Sequence, residues 1–280
     1  FIIFFLCKKK NLLISGVTLV EILIAIVIAS IMMMALFTSY NVVNKSYTQV
    51  SDRGSISRIN RNVISMLLKD IRMAGYYDIN AQRFSSNELH PILITKDREC
   101  DKIAIVYGDR ELDSGVVKFP LYQVTYECKK SRLPDMKASK NAQGKYPTLE
   151  LRAIYKTKKK WDSSSNNWAD PATDGSTKTY PANLVVDYVE DLTFNPIDKN
   201  GELIFPIPSV SQNSEKLDKI RSIDIALILR STDEFYRNKK ERTTQSLSDD
   251  TIKKRNSKKT DKFLRDAIIV TAYARNIGTN

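Results

Sequence analysis

Residues 8–37 read KKKNLLISGVTLVEILIAIVIASIMMMALF, and this stretch decides the fold. It opens with three lysines, and residues 17–37 then run for 21 positions with a single charge, that of Glu21. A helix of that length is about 31 Å long, close to the thickness of a bilayer core. We therefore predict a transmembrane helix at 17–37. The lysines before it predict that its N-terminus is cytoplasmic.

Two other kinds of apolar N-terminal segment fit less well. A secretory signal peptide has a shorter apolar core followed by a small-residue cleavage site, and no such site follows Phe37. A plain membrane anchor has no use for Glu21, because a carboxylate in a membrane helix costs a few kcal/mol at the centre and less near an end. Glu21 is therefore a candidate functional residue. The alternative is that it only complements the helix dipole in the first turns.

The run Gly16-Val17-Thr18-Leu19-Val20-Glu21 resembles the signal of type IV prepilins, which have a basic leader ending in Gly before an apolar helix. The resemblance implies that prepilin peptidase cuts between Gly16 and Val17 and that Val17 is N-methylated. It also implies an assembly role for Glu21, whose carboxylate would neutralise the terminal amine of a neighbouring subunit. A buried charge without a partner is very costly, so this pairing would fix the stagger between subunits.

The end of the long helix, residues 68–76, resembles minor pilins of the PilW kind and the related J-type pseudopilins of type II secretion. The function so implied is that of a minor pilin in pilus assembly or priming, with adhesion, twitching or DNA uptake downstream. The alternative is a J-type pseudopilin in a secretion tip complex. Implied partners are prepilin peptidase, the inner membrane, and other minor and major pilins through the N-terminal helix. The implied location is the bacterial inner membrane, with a periplasmic C-terminal domain, and then the pilus or cell surface.

Beyond the membrane segment the pattern becomes amphipathic. Apolar residues recur at steps of three and four and share one face, and Gly75 ends the run. The helix is predicted over 17–75, loosened near 51–54. Its predicted apolar face comprises Ile56, Ile59, Val63, Met66, Leu67, Ile71 and Ala74.

After Gly75 the helical period gives way to short runs rich in β-branched and aromatic residues. No βαβ pattern is present, so the strands are predicted to be antiparallel. The fold class is therefore α+β: a leader at 1–16, the helix at 17–75 and a β-rich pilin-like domain at 76–280. A hairpin turn is predicted at Asp198-Lys199-Asn200-Gly201. Predicted strands are 92–95, 102–107, 122–127, 148–155, 184–194, 202–205, 220–229 and 267–274.

Of the three cysteines, Cys7 would leave with the leader. Cys100 and Cys128 lie beyond the membrane, and in an oxidising periplasm two such cysteines indicate a disulfide. Two buried free thiols remain the alternative.

No catalytic, nucleotide-binding or zinc-binding motif occurs, so neither an enzyme nor a cofactor is predicted. The single histidine, His90, precedes Pro91 and is predicted to lie in a solvated loop. The polar stretch 162–174 contains side-chain oxygens that are candidate calcium ligands, those of Asp162, Asn166, Asp170 and Asp174. Their spacing fits no EF-hand loop, so no metal site is predicted.

The formal net charge is +12, and the segment 237–265 concentrates eleven Lys or Arg against four acids. With few apolar residues, the segment is predicted to be a flexible hairpin loop. Its charge allows weak, non-specific contact with DNA or another polyanion, and a solvated loop without a ligand is the alternative.

Overall fold

The computed structural model describes residues 18–77, 89–97, 100–113, 115–135, 139–147, 151–169, 183–205, 214–247 and 257–277. Its architecture is α+β, as predicted: one long N-terminal helix and an antiparallel sheet. The chain divides into two compact units, one ending at Ser51 and one comprising Asp52–Asn280. The second half of the helix thus belongs to the same unit as the sheet.

Helix α1 spans Leu19–Met73 without a break. The loosening predicted near 51–54 is wrong, because Gly54 continues the helix and its missing side chain leaves only open space. Glycine lowers helix propensity by only about 1 kcal/mol, which the packed turns on the C-terminal side outweigh. The helix ends at Met73, and Gly75 lies in the turn that follows, where its φ of 73° is left-handed and favours a residue without a Cβ.

Over the described residues, twelve strands and one short 3-10 helix follow α1. The strands are β1 Ile92–Thr95, β2 Lys102–Gly108, β3 Glu111–Asp113, β4 Val116–Lys118, β5 Leu121–Lys130, β6 Arg152–Asp162, β7 Asn167–Ala169, β8 Asn183–Ile197, β9 Ser222–Glu234, β10 Lys240–Thr244, β11 Ser257–Asp261 and β12 Phe263–Tyr273, and the 3-10 helix is Ser214–Lys219.

The main sheet has the order β1-β2-β5-β6-β8-β9-β12, with β7 paired to β6, and every pairing between its strands is antiparallel. Strands β3 and β4 form one small hairpin, and β10 and β11 form another. The core lies between the second half of α1 and one face of the main sheet. Ile223 and Ile225 of β9 are fully buried there. Ala226 and Ile228 on the opposite face of the strand are buried as well, so β9 is not one-sided as its alternation predicts.

The buried face of α1 differs in part from the predicted one. Ile59 and Met66 are exposed, at 41% and 40%, although both follow the apolar period. Polar Asn60 and Asp70 are buried instead. The amide of Asn60 donates hydrogen bonds to the backbone oxygen and the carboxylate of Asp266, at 3.1 and 3.0 Å. The predicted face contains only apolar residues and therefore misses these buried polar positions. Polar side chains can be buried there because their hydrogen bonds to the sheet offset the cost of desolvation.

The predicted strands 92–95, 102–107, 122–127, 184–194, 220–229 and 267–274 coincide closely with β1, β2, β5, β8, β9 and β12. The strand predicted at 148–155 begins later, at Arg152, and runs on to Asp162. The strand predicted at 202–205 is wrong, because only an isolated bridge joins Leu203 to Ile197.

The turn predicted at residues 198–201, between the two residues of that bridge, is present. Asp198 accepts backbone N–H groups of Asn200 and Glu202 at 2.8 and 3.0 Å, and Gly201 has a φ of 84°. Two backbone hydrogen bonds pair the arms of this turn, from Asp198 N–H to the Glu202 oxygen and from Ile204 N–H to the Pro196 oxygen, each at 2.9 Å.

Over the described residues, the segment 237–265 forms a hairpin, as predicted, but its arms are paired strands and not an unpaired loop. Lys240–Thr244 and Ser257–Asp261 pair as an antiparallel hairpin, and Phe263 begins β12. The stretch 248–256 lies outside the described residues. Backbone pairing and a buried ion-pair network, described below, order this segment despite its low apolar content.

Candidate functional site

The candidate functional site is the apolar part of α1, from Leu19 to Phe37. Its large apolar side chains are exposed in the chain taken by itself, from Leu19 at 76% to Phe37 at 68%. Apolar residues surround the helix on every side, which is typical of helices buried in lipid or among other helices. By length and composition this helix is able to cross a membrane.

The N-terminal turn of α1 fixes the position of Glu21. Thr18 precedes the helix, and its hydroxyl oxygen accepts the backbone N–H of Glu21 at 3.3 Å. The spacing Thr-x-x-Glu is that of a capping box, with Glu21 at the third helical position. Glu21 therefore lies where a carboxylate complements the helix dipole, and its side chain is exposed in the chain taken by itself.

Hydroxyl side chains within the apolar segment and directly after it bond to the helix itself. Ser30 donates to the carbonyl oxygen of Ile26 at 2.7 Å, and Thr38 donates to that of Met34 at 2.8 Å. In a hydrocarbon environment a polar group without a partner is costly, and these bonds provide one inside the helix. Glu21 is thus the residue of this segment that calls for a partner outside its own helix.

The residues of the predicted processing site, Gly16 and Val17, lie outside the described residues. Cleavage between them and methylation of Val17 therefore stay predictions. The sequence predictions above do not include Thr18 as a helix N-cap. The Thr-x-x-Glu spacing before an apolar run is nevertheless a recognisable signal for such a cap.

No protein-family model matches the chain, and no curated protein matches it. Among solved structures it is similar to a type IV-like pilin, TTHA1219, from Thermus thermophilus. The comparison gives a TM-score of 0.48 at 10% sequence identity, and it covers 79% of this chain and 96% of that one. At this identity no residue role passes from that protein to this chain.

Cys100 and Cys128 form a disulfide, with their Cα atoms 6.0 Å apart. Cys100 directly precedes Asp101 and forms a parallel bridge with Leu192 of β8, while Cys128 belongs to β5. The bond therefore joins the segment just before β2 to β5, the strand that pairs directly with β2. It closes a loop of 28 residues, which in the chain-entropy model stabilises a fold by roughly 3–4 kcal/mol.

The basic hairpin β10–β11 is attached to the main sheet through Arg265. Its guanidinium group donates to both carboxylate oxygens of Glu190, at 2.6 and 2.8 Å, and to those of Asp261, at 2.9 and 2.5 Å. The Arg265 side chain is only 4% exposed. The hydrogen bonds from Arg265 lower the pKa of Asp261. Burial alone would lower the pKa of Arg265, but the bonds to Asp261 and Glu190 outweigh it and raise that pKa.

Exposed cations remain on this hairpin, among them Lys240, Lys258 and Lys259. Lys258 lies 3.4 Å from Glu241, and Arg242 stacks on the ring of Tyr236. Part of the positive charge is therefore engaged within the protein. Contact with DNA or another polyanion stays a prediction.

The polar stretch considered for calcium forms the turn between β6 and β7. The carboxylate of Asp162 accepts the hydroxyls of Ser164 and Ser165, at 2.6 and 2.7 Å, and these hydrogen bonds lower its pKa to about 2. Asn166 takes a left-handed φ of 50° in the turn. Asp170 and Asp174 lie outside the described residues. Over the part of the chain that the structure describes, no cluster of three or more His, Cys, Asp or Glu could hold a metal.

A small cavity of about 100 Å³ lies within the second compact unit, between α1 and strands β8 and β9. Its lining includes three carboxylates, Asp52, Asp187 and Asp233, beside Ile56 and Arg230. Ligand pockets usually measure about 300–1,000 Å³, so this cavity is too small for an ordinary organic substrate. His90 lies in a loop, as predicted, but it is half-buried there and not solvated as predicted.

Proposed function

We propose that the chain is a minor pilin of a type IV pilus, of the PilW kind. Prepilin peptidase removes residues 1–16, and the mature chain begins at Val17. The apolar half of α1 holds the subunit in the inner membrane before assembly, with the domain after it in the periplasm. The same half then packs among the helices of neighbouring pilins.

One observation carries this proposal. The segment from Leu19 to Phe37 is apolar on all faces and exposed, and its single charge is Glu21 in the first turn. A plain membrane span would be better without that carboxylate. Cleavage after Gly16 would create an amino group near the same depth in a neighbouring subunit, and two opposite charges can enter a low-dielectric helix bundle only as a pair.

N-terminal sequencing of the full chain extracted from membranes tests the processing step. The expected chain begins at methylated Val17 in cells that hold prepilin peptidase. Gly16→Glu should leave the leader attached, and Ser15→Ala serves as the matched control that is still cleaved. A mature N-terminus at any other residue contradicts the proposal.

The fraction in which the protein is found separates a pilus from a secretion system. A minor pilin should co-purify with pili sheared from the cell surface and should be needed for normal pilus number. If its deletion leaves pili unchanged and abolishes export of folded proteins, the J-type pseudopilin function replaces the proposed one.

A further inference from the structure

Three side chains meet at the end of β8, although they are far apart in sequence. The amine of Lys96 lies 2.9 Å from the side-chain oxygen of Asn195 and 2.9 Å from the carboxylate oxygen Oδ2 of Asp101. Lys96 follows β1 directly, Asp101 precedes β2, and Asn195 belongs to β8. The fold therefore places an amine, a carboxamide and a carboxylate within contact distance.

This group is removed from solvent. The side chain of Asp101 is fully buried, that of Lys96 is only 14% exposed, and Asn195 is 6% exposed. Low local polarity strengthens each polar contact within the group.

The backbone holds Asp101 in place. Its N–H donates to the carbonyl oxygen of Leu192 at 2.7 Å, and its carboxylate accepts the N–H of Phe194 at 2.9 Å. The N–H of Asp97 also donates to that carboxylate, at 3.3 Å. The preceding residue, Cys100, carries the disulfide. The carboxylate is thus fixed before any reaction takes place, as general acid–base catalysis requires.

We propose that Lys96 and Asn195 form an intramolecular isopeptide bond, with Asp101 as the catalytic residue. Asp101 takes a proton from the Lys96 ammonium group, and the free amine attacks Cγ of Asn195. Asp101 then passes the proton to the amide nitrogen of Asn195. The new Nζ–Cγ bond replaces the Cγ–Nδ2 bond, and ammonia leaves with the remaining proton as ammonium. No oxidant, reductant or other co-reactant takes part.

The geometry is close to that of attack. A carbonyl bond is about 1.2 Å long, so Nζ of Lys96 lies no more than about 4.1 Å from Cγ of Asn195. Attack requires about 3–3.5 Å with suitable alignment. Rotation about the terminal bonds of the flexible Lys96 side chain closes this difference without moving the backbone.

The bond would join the edge strand β1 to β8, with β2, β5 and β6 between them in the sheet order. Together with the Cys100–Cys128 disulfide it would link three regions of the sheet covalently. Such cross-links limit how far the chain can extend when the fold opens.

Peptide mapping of the full chain, purified from membranes in detergent, tests the proposal. After denaturation, reduction and trypsin digestion, linked protein should give residues 84–98 joined to 179–199, lighter than the two peptides together by one ammonia. Cleavage after Lys96 should be lost, because its amine is acylated. Separate peptides 84–96 and 179–199 from protein that carries the Cys100–Cys128 disulfide would overturn the proposal, and so would conversion of Asn195 to Asp.

Two variants assign the chemistry. Asn195→Ala removes the electrophile and keeps the contact of Lys96 with Asp101, so it should fold and show the full sequence mass. Asn200→Ala, in the exposed turn after β8, is the matched control and should keep the link. Asp101→Ala should abolish the link in the disulfide-bonded fraction, and a fully linked Asp101→Ala protein would refute the role of Asp101.

Discussion

The hydroxyl group of Tyr126 donates a hydrogen bond of 2.5 Å to the carboxylate of Asp70, and this contact joins α1 to strand β5 inside the core. The amine of Lys156 lies 2.6 Å from the same carboxylate oxygen and 5.3 Å from the ring centre of Tyr126. Asp70 is thus a buried helix residue held by two neighbouring strands. The network fixes the position of the helix on the sheet, where apolar contacts alone would allow it to slide.

The first prediction concerns this hydrogen bond. Tyr126→Phe should lower the free energy of unfolding of the Asp52–Asn280 unit by about 1.5–3 kcal/mol, because a bond to a charged group is lost in a fully buried site. Urea denaturation followed by circular dichroism measures the change. Tyr273→Phe, at a side chain that is 70% exposed, should change it by less than about 0.5 kcal/mol. Equal effects of the two variants would contradict the role of Tyr126.

The second prediction concerns alkaline pH. Burial, then the charge of Asp70 and the hydrogen bond to it, raise the pKa of Tyr126 above its ordinary value of 10.0. A raised pKa stabilises the fold fully below the unfolded value and progressively less as the pH rises above it. The stability of the unmodified protein should therefore fall above about pH 10, and that of Tyr126→Phe should fall less steeply. Urea midpoints at a series of pH values compare the two slopes, and parallel slopes would count against the assignment.

The third prediction concerns Arg265 and acid pH. Arg265→Met leaves the partly buried carboxylates of Glu190 and Asp261 without their cation and should cost about 3 kcal/mol, the lower end of the range for buried ion pairs. Arg237→Met, at an exposed residue of the same segment, should have little effect. Thermal unfolding of both variants makes the comparison, and a tolerated Arg265→Met would show that the ion pairs do not hold the hairpin.

The pH dependence of the ion pairs of Arg265 follows from Asp261. The pKa of this carboxyl is lower in the fold than its ordinary value of 3.8, so its contribution is present above that value and is lost as the pH falls through the lowered pKa. Asp261→Asn should lack this part of the acid destabilisation. Acid titrations of stability for the two proteins check the sign, and a steeper fall for Asp261→Asn would contradict it.

The fourth prediction concerns Glu21 and rests on the proposed function. Glu21→Val should still insert and be cleaved, because the segment becomes more apolar, but its incorporation into pili should drop several-fold. Glu21→Asp keeps the charge and should retain part of the incorporation, whereas Leu23→Val changes only the apolar surface and should retain nearly all. Quantitative immunoblots of sheared pili measure each. Normal incorporation of Glu21→Val would leave helix capping as the role of this carboxylate.

Local sequence predicted the elements well where one physical signal dominates. The apolar run after Thr18 predicts a long helix because no proline interrupts it. Alternating isoleucines predict the strand β9, although the structure buries that strand on both faces from Ile225 to Leu229. The antiparallel arrangement followed from the absence of helical crossovers. The low apolar content of the basic segment predicts a flexible loop, and this prediction fails for Lys240–Thr244. That strand is ordered by pairing with β11 and by the contacts of Arg265, which lies outside the strand.

By itself, then, the sequence determined the helix, its single carboxylate at Glu21, the class of the sheet and the cysteines available for pairing. Periodicity, charge and spacing are local properties and can be read along the chain. The tertiary structure alone decided the strand order, the burial of Asp70 against Tyr126, and the meeting of Lys96, Asp101 and Asn195. Lys96 and Asn195 are 99 positions apart, and contacts over that distance depend on how the strands assemble. Local sequence preferences do not encode this arrangement of strands, because each long-range contact contributes energy only after the strands have paired.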